Sequence, residues 1–168
     1  MTSGSSTTIA NQYLRDVMTR EVTTVAPSAS IEQAALMMKA LNVGVLPVCE
    51  GTQLVGMLTD RDIVIRVVAE QLSPGETTVG DAMTPDATHC YEDQTVEQAV
   101  RVMAGRQIRR LPILSRDETL VGVVSLGDVA IRSDERSAAV RGLEGVSRPA
   151  ERQVHGTMST DGSVDPQP

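Results

Sequence analysis

Residues 54–62 read LVGMLTDRD, and residues 120–128 read LVGVVSLGD. Both stretches predict a short apolar strand with a central glycine, then a hydroxyl residue and, three positions later, an aspartate. The two stretches lie 66 residues apart, so one structural unit is written twice in the chain. Such a duplication indicates two small units that bury their apolar faces against each other, and a site built by one copy has a twin in the other.

Two further landmarks recur 65 residues apart. Met18-Thr19 returns as Met83-Thr84, and Leu46-Pro47 returns as Leu111-Pro112. The extra residue of the longer spacing falls in the turn at 115–119. The two copies therefore keep the same motifs in the same order.

The apolar spacing around these landmarks predicts the order β-α-β-β-α in each copy, a mixed α/β (α+β) fold. Ser30 with Gln33, and Thr95 with Gln98, form capping boxes that predict where the first helix of each copy begins. The elements expected in the first copy are a strand at 22–25, a helix at 30–41, strands at 43–48 and 54–58, and a helix at 60–68. Those expected late in the second copy are strands at 108–114 and 120–124 and a helix at 126–131.

The chain is expected to divide into five parts. These are a disordered leader (1–12), a first repeat (13–68), a linker (69–79), a second repeat (80–132), and a short helix with a disordered tail (133–168). The leader lacks the basic start and apolar core of a secretory signal. No apolar run reaches the roughly 18 residues of a membrane span. We therefore expect a cytoplasmic protein without a membrane partner.

Composition argues against nucleic acid as a partner. The formal net charge is −7 and the pI is about 4.8, whereas a general nucleic-acid binder needs a broad basic surface. The chain has no Trp or Phe and two Tyr, so it offers few rings for base stacking. Cys49 and Cys90 are interpreted as buried thiols in a reducing compartment, with a disulfide or redox sensor as the alternative.

The two hydroxyl–aspartate motifs, Thr59 with Asp62 and Ser125 with Asp128, have two interpretations. Each is a capping box, in which the side chains satisfy free backbone N–H groups at a helix start. Each also suits a ribonucleotide, because a helix N-terminus favours a phosphate and a carboxylate can accept bonds from the vicinal hydroxyls of a ribose.

Taken together, the Met-Thr pair, the apolar-Pro-apolar strand, the strand glycine and the Ser/Thr-x-x-Asp motif resemble a tandem pair of CBS domains, the Bateman module. The chain is similar to the stand-alone bacterial CBS proteins, including those of the hypoxic-response type. The resemblance implies two repeats packed with pseudo-twofold symmetry around two clefts. It also implies an adenosine-containing ligand, namely AMP, ADP, ATP or S-adenosylmethionine, with no cofactor required.

By that resemblance, Asp62 and Asp128 accept the ribose hydroxyls, and Thr59 and Ser125 lie near the phosphate. The residues implied around the adenine are Val45, Leu46, Pro47, Arg110, Leu111 and Pro112. Those implied for the phosphate are Arg61, Arg109 and Arg110.

The copies differ in charge, because the first has Gly44-Val45 where the second has Arg109-Arg110. If the arginines face a cleft, the two clefts bind unequally; the alternative is that they form a solvated strand end.

We therefore predict a non-enzymatic regulatory sensor, with a ligand-independent dimeric scaffold as the alternative. His89 and Cys90 are adjacent in a predicted strand and point to opposite faces, so they form no catalytic dyad, and no zinc-ligand spacing is present. A homodimer is expected, with an unidentified protein partner left open. One pair of repeats is not expected to bury all the apolar residues on its helices, so a second copy of the chain should cover the rest. These apolar residues are Ala34, Ala35, Met38, Ala99, Val100 and Met103.

Overall fold

The computed structural model describes residues 12–132 and 142–147. Apart from Gln12, the leader predicted to be disordered lies outside these residues, as does the predicted disordered tail at 148–168; the stretch at 142–147 belongs to the helix predicted at 133–147. The described helices are α1 (Leu14–Val17), α2 (Ile31–Leu41), α3 (Asp60–Ile63) with a π-helical turn (Val64–Val68), α4 (Val79–Ala82), α5 (Val96–Arg106), α6 (Leu126–Arg132) and α7 (142–146). The strands are β1 (Val45–Glu50), β2 (Gln53–Thr59), β3 (Thr84–Pro85), β4 (Cys90–Tyr91), β5 (Arg110–Leu114) and β6 (Leu120–Ser125).

Each repeat contains one small sheet built on an antiparallel hairpin. The sheets have the orders β1-β2-β3 and β4-β5-β6. In the second repeat, β4 runs parallel to β5 and supplies the first strand. In the first repeat, the strand predicted at 22–25 is reduced to a single parallel bridge between Val25 and Val48, because the Val22 N–H is used in a local turn to Arg20. The β-α-β-β-α order is otherwise confirmed.

The two Met-Thr segments are exchanged between the repeats. Thr19, near the start of the first repeat, pairs with Val123 in β6 of the second. Thr84, near the start of the second repeat, belongs to β3 and pairs with Met57 in β2 of the first. This reciprocal exchange relates the two halves by pseudo-twofold symmetry, and each sheet is completed by chain that leads into the other repeat.

The short helices before these segments complete the two hydrophobic cores. Leu14 and Val17 of α1 are buried in the core of the second repeat. Val79 and Ala82 of α4 are buried in the core of the first repeat. Each core is thus closed by a helix from the segment that leads into the other repeat.

This arrangement also covers the helix faces that were expected to be left open. The expectation was wrong for five of the six residues, because α2 and α5 pack them into the cores between the sheet and the incoming short helix. The buried residues are Ala34, Met38, Ala99, Val100 and Met103, and only Ala35 is exposed.

The predicted capping boxes form. The Ser30 hydroxyl accepts the Gln33 N–H at 3.2 Å while the Gln33 side chain accepts the Ser30 N–H at 3.1 Å. Thr95 and Gln98 form the equivalent box at the start of α5. Satisfying these free N–H groups fixes where the two longest helices begin.

Part of the helix predicted at 133–147 is described, and it packs on the second repeat. A Cβ on Gly142 would lie 2.6 Å from the Leu126 side chain, and one on Gly145 would lie 2.5 Å from Ala104. These two glycines therefore allow α7 to approach α5 and α6 closely. The rest of that predicted helix lies outside the described residues.

The repeated strand glycines are explained by the exchanged segments. A Cβ on Gly122 would lie 2.7 Å from the Met18 sulfur and 2.8 Å from the Thr19 carbonyl oxygen. A Cβ on Gly56 would meet Met83 and Thr84 at the same two distances. Because one obstacle in each pair is backbone, a side chain at either glycine requires the segment to move.

We therefore expect Gly122→Ala to lower the free energy of unfolding by about 1–3 kcal/mol, as overpacking of a core does. Gly105→Ala is the matched control: a Cβ there meets nothing within 4 Å, and alanine is the better helix former. Urea unfolding of both variants checks the prediction. A Gly122→Ala protein as stable as Gly105→Ala would contradict the close approach.

Candidate functional site

A cleft of about 350 Å³ lies between the two repeats. This volume falls within the usual range for small-molecule pockets. The first repeat, the second repeat and the first exchanged segment all contribute to its walls. The lining residues are Thr19, Glu21, Val22, Thr23, Leu41, Val43, Leu46, Arg110, Val123, Ser125 and Asp128.

The Ser125–Asp128 motif forms one side of this cleft and is a complete capping box. Asp128 Oδ2 accepts the Ser125 N–H at 2.9 Å and the Ser125 hydroxyl at 2.6 Å, and Ser125 Oγ accepts the Asp128 N–H at 3.1 Å. The box uses one carboxylate oxygen. The other, Oδ1, lies 3.8 Å from Arg132 Nε. The cap therefore leaves Oδ1 of Asp128 outside its hydrogen bonds.

The capping box also determines where the Ser125 hydroxyl donates its proton. Ser125 donates its proton to Asp128, so it can donate to a phosphate only after that bond is exchanged. Arg110 sits directly opposite Ser125 in the β5–β6 ladder and lines the same cleft. Arg110 is thus a cationic donor already facing the site.

The Thr59–Asp62 motif repeats the geometry in the first repeat. Asp62 Oδ2 accepts the Thr59 N–H at 2.9 Å and the Thr59 hydroxyl at 2.6 Å. Its Oδ1 lies 3.5 Å from an Arg66 nitrogen. The Arg110 position is taken here by Val45, which pairs with Thr59. The first motif therefore has no cation at the place that Arg110 occupies beside the second.

A third capping box shows what this motif does alone. Asp81 accepts the Thr78 N–H at 3.1 Å and the Thr78 hydroxyl at 2.6 Å at the start of α4. The hydroxyl bond, followed by the N–H bond, lowers the pKa of the Asp81 carboxyl. Neither residue lines the cleft. The local geometry is the same in all three motifs, and of the three only Ser125–Asp128 lines the described cleft.

The two other arginines proposed for phosphate do not line this cleft. Arg109 precedes β5, and its carbonyl accepts the Leu126 N–H at 3.2 Å. Neighbouring residues in an extended chain point to opposite faces, so Arg109 and Arg110 diverge. Arg61 is exposed on the first turn of α3, where its N–H donates to Asp60. One predicted cation of three faces the described cleft.

The apolar residues proposed for the adenine separate in a similar way. Leu46 lines the cleft beside the second motif. Leu111 is its counterpart by repeat spacing and is buried, as are Pro47 and Pro112 in the middle of their strands. The structure thus brings Leu46, Arg110, Ser125 and Asp128 together, with one wall taken from the opposite repeat.

Sequence reasoning missed the residues that the exchanged segment brings to the cleft, Thr19, Glu21, Val22 and Thr23. It also missed Leu41, Val43 and Val123. The Met-Thr repeat was a signal for Thr19, but its pairing with the other repeat is a tertiary contact that the motif does not encode.

Neither cysteine lines the cleft. Cys49 and Cys90 are free and buried, and burial raises the pKa of the Cys90 thiol to about 11. Within residues 12–132 and 142–147, no group of three or more His, Cys, Asp or Glu is placed to hold a metal ion. None of the helices described there is long and apolar enough to cross a bilayer.

The chain belongs to the CBS domain family. The CBS domain profile matches it twice, at residues 14–69 and 79–134. The resemblance inferred from the repeated motifs is therefore confirmed, and CBS pairs are regulatory modules.

Relatives of known sequence and structure agree. The CBS domain-containing protein YhcV of Bacillus subtilis is 42% identical over 134 residues, which cover 80% of this chain and 94% of YhcV. The crystal structure of Hypoxic Response Protein I with two coordinated zinc ions has a TM-score of 0.66 and 35% identity, covering 71% of this chain and 97% of that one. The crystal structure of CBSX2 in complex with AMP has a TM-score of 0.63 and 27% identity, covering 71% and 93%.

Proposed function

We propose that this protein is a non-enzymatic sensor that binds an adenosine-containing ligand in the cleft between its repeats. The observation that carries the proposal is the placement of Asp128 and Arg110 on either side of Ser125 in one cleft. A carboxylate can accept the ribose hydroxyls while the guanidinium binds a phosphate. Leu41, which is 44% exposed, and Val43 supply apolar surface for a base in a chain with few aromatic residues.

The candidate ligands can be ranked by how well their charge matches the charged residues that line the cleft. Its lining holds one arginine, Arg110, and two carboxylates, Glu21 and Asp128. A single cation matches a single phosphate group better than three, because each further phosphate adds negative charge near the carboxylates. We therefore place AMP ahead of ADP and ATP. S-adenosylmethionine is retained because its positive charge suits the carboxylates, and the AMP complex of CBSX2 supports the choice of AMP as the first probe.

A ligand-independent scaffold is the second candidate. It is favoured by the Thr78–Asp81 box, which has the same internal geometry without a cleft. In that case Ser125 and Asp128 serve only to cap α6. In either case we propose a cytoplasmic setting, which suits two free buried thiols, and regulation through a protein partner.

We expect Asp128→Ala to weaken AMP binding by about 1.5–3 kcal/mol, because it removes a charged acceptor for the ribose hydroxyls. Asp81→Ala is the matched control, since it removes an equivalent cap outside the cleft and is expected to leave affinity unchanged. Titration calorimetry measures binding, and thermal melting confirms folding. Unchanged AMP affinity in folded Asp128→Ala, or no AMP binding by the wild type, would favour the scaffold.

Arg110 and Arg109 are expected to contribute unequally. Arg110→Ala should weaken AMP binding by about 1–3 kcal/mol and make it less sensitive to salt, while adenosine binding changes little. Arg109→Ala should have a smaller effect, because Arg109 does not line the cleft. Calorimetry with AMP and adenosine at two salt concentrations compares the variants. An equal loss for both arginines, or for both ligands, would contradict the assignment of Arg110 to the phosphate.

We also propose a homodimer, formed by a different surface from the one first expected. Val64, Ile65 and Val68 on the π-helical turn are 57%, 48% and 60% exposed, and the nearby Leu72 is 48% exposed. An apolar cluster of this kind on a helical surface is typical of an interface. The faces of α2 and α5 named earlier cannot serve, since they are buried inside one chain.

Light scattering is expected to give twice the chain mass of 17.9 kDa. Val68→Asp combined with Ile65→Asp should give a folded monomer, because charge in an apolar interface must be desolvated. Circular dichroism confirms that the variant is folded. A wild-type monomer at roughly tens of micromolar protein, or a variant that stays dimeric, would refute this surface.

A further inference from the structure

Arg66 joins the Asp62 carboxylate to the second exchanged segment. Its NH1 donates to the Ala82 carbonyl at 2.7 Å and to the Met83 carbonyl at 2.6 Å. Its NH2 donates to the Thr84 hydroxyl at 3.2 Å and lies 3.5 Å from Asp62 Oδ1. One guanidinium thus spans the carboxylate and the chain that leads into the second repeat.

The counterpart in the second repeat is Arg132, 66 residues later. Its NH1 reaches the Val17 carbonyl at 3.5 Å, and its Nε lies 3.8 Å from Asp128 Oδ1. In the described part of the chain, its hydrogen bonds do not extend to Thr19, the counterpart of Thr84. Arg132 therefore makes fewer and longer contacts with the first exchanged segment and with Asp128 than Arg66 makes with the second segment and with Asp62.

The contacts of Arg66 and Arg132 differ at residues of the proposed binding site and at their counterparts in the other repeat. Asp128 and Thr19 line the described cleft, and their counterparts by repeat spacing are Asp62 and Thr84. Arg66 contacts both Asp62 and Thr84, whereas Arg132 lies 3.8 Å from Asp128 and makes no described hydrogen bond to Thr19. We propose that Arg66 makes the Thr59–Asp62 motif the weaker of the two binding positions, because it competes with a ligand for Asp62 and Thr84. This inference rests on the proposed adenosine site and names the residue that makes its two copies unequal.

The contacts explain why Arg66 resists displacement. A ribose hydroxyl that approaches Asp62 Oδ1 competes with the guanidinium for the same oxygen. The two short bonds to the Ala82 and Met83 carbonyls fix the guanidinium in place, so it cannot turn away without losing them. Arg132 has one long bond of this kind and yields more easily. The predicted order is therefore the Ser125–Asp128 cleft first and the Thr59–Asp62 side second.

Adenosine is the probe of choice because it carries no phosphate. Its affinity therefore depends little on the positive charge that Arg66→Gln removes. Wild-type protein is expected to bind one equivalent clearly more tightly than a second in titration calorimetry. In Arg66→Gln, the affinity for the second equivalent should rise about fivefold, the scale expected for an exposed ion pair with charged hydrogen bonds. Arg132→Gln is the matched control and should not raise the affinity for the second equivalent, because Arg132 contacts neither Asp62 nor Thr84.

Hydrogen exchange without ligand tests the contacts themselves. The Met83 N–H bonds to Val79 at 2.8 Å next to the carbonyls that Arg66 holds. Arg66→Gln should speed exchange across 79–85, whereas Arg132→Gln should leave this segment unchanged. Arg66→Lys, which keeps the charge without the two-pronged contact, replaces Arg66→Gln if that variant fails to fold.

The outcomes separate the two proposals. If the wild type binds adenosine unequally and Arg66→Gln shows the same ratio, the role of Arg66 is overturned while the adenosine site stands. Unchanged exchange across 79–85 in Arg66→Gln overturns it as well. If neither the wild type nor any variant binds adenosine, the proposed function fails, and the role of Arg66 fails with it.

Discussion

The architecture depends on the contact between a methionine from one half and a strand glycine of the other, made twice. Met18 lies on Gly122 and Met83 lies on Gly56, each with its sulfur where a Cβ would otherwise project. The following threonines then pair with the opposite hairpins, Thr84 in the edge strand β3 and Thr19 through a single bridge. Neither repeat completes its sheet or its core from its own residues alone. The duplicated sequence therefore encodes one cooperative body, because separating the repeats would expose both cores at once.

The exchanged segments also create the cleft. Thr19 and the residues after it connect α1, which packs on the second repeat, to the rest of the first repeat. The cleft lies along this connection and has walls from both repeats. A ligand held there would have residues of the first repeat, such as Leu41 and Val43, on one side and Asp128 on the other. It would therefore stabilise the paired arrangement relative to any arrangement in which the repeats shift.

Local features of the fold were predictable from the sequence, and long-range ones were not. The capping boxes at Ser30 and Thr95, the two hairpins and the family follow from patterns within a few residues, and all are confirmed. The exchange of segments is different, because Met18 contacts a glycine more than one hundred positions away. The covered faces of α2 and α5 follow from that pairing, whereas the divergence of Arg109 from Arg110 follows from the alternation of side chains along an extended chain. The binding roles of the site residues stay predictions.

The three capping boxes show why a short motif is weak evidence for function. Thr59–Asp62, Thr78–Asp81 and Ser125–Asp128 all place a hydroxyl 2.6 Å from a carboxylate oxygen, and all cap a helix. They differ in what surrounds the remaining carboxylate oxygen. At Asp81 the motif lies outside the cleft, at Asp62 an anchored arginine lies close to that oxygen, and at Asp128 a cleft opens beside it. Duplication supplied equivalent carboxylates, and the neighbouring arginines then made them chemically different. In a duplicated module of this kind, functional asymmetry resides in the residues around the shared motif.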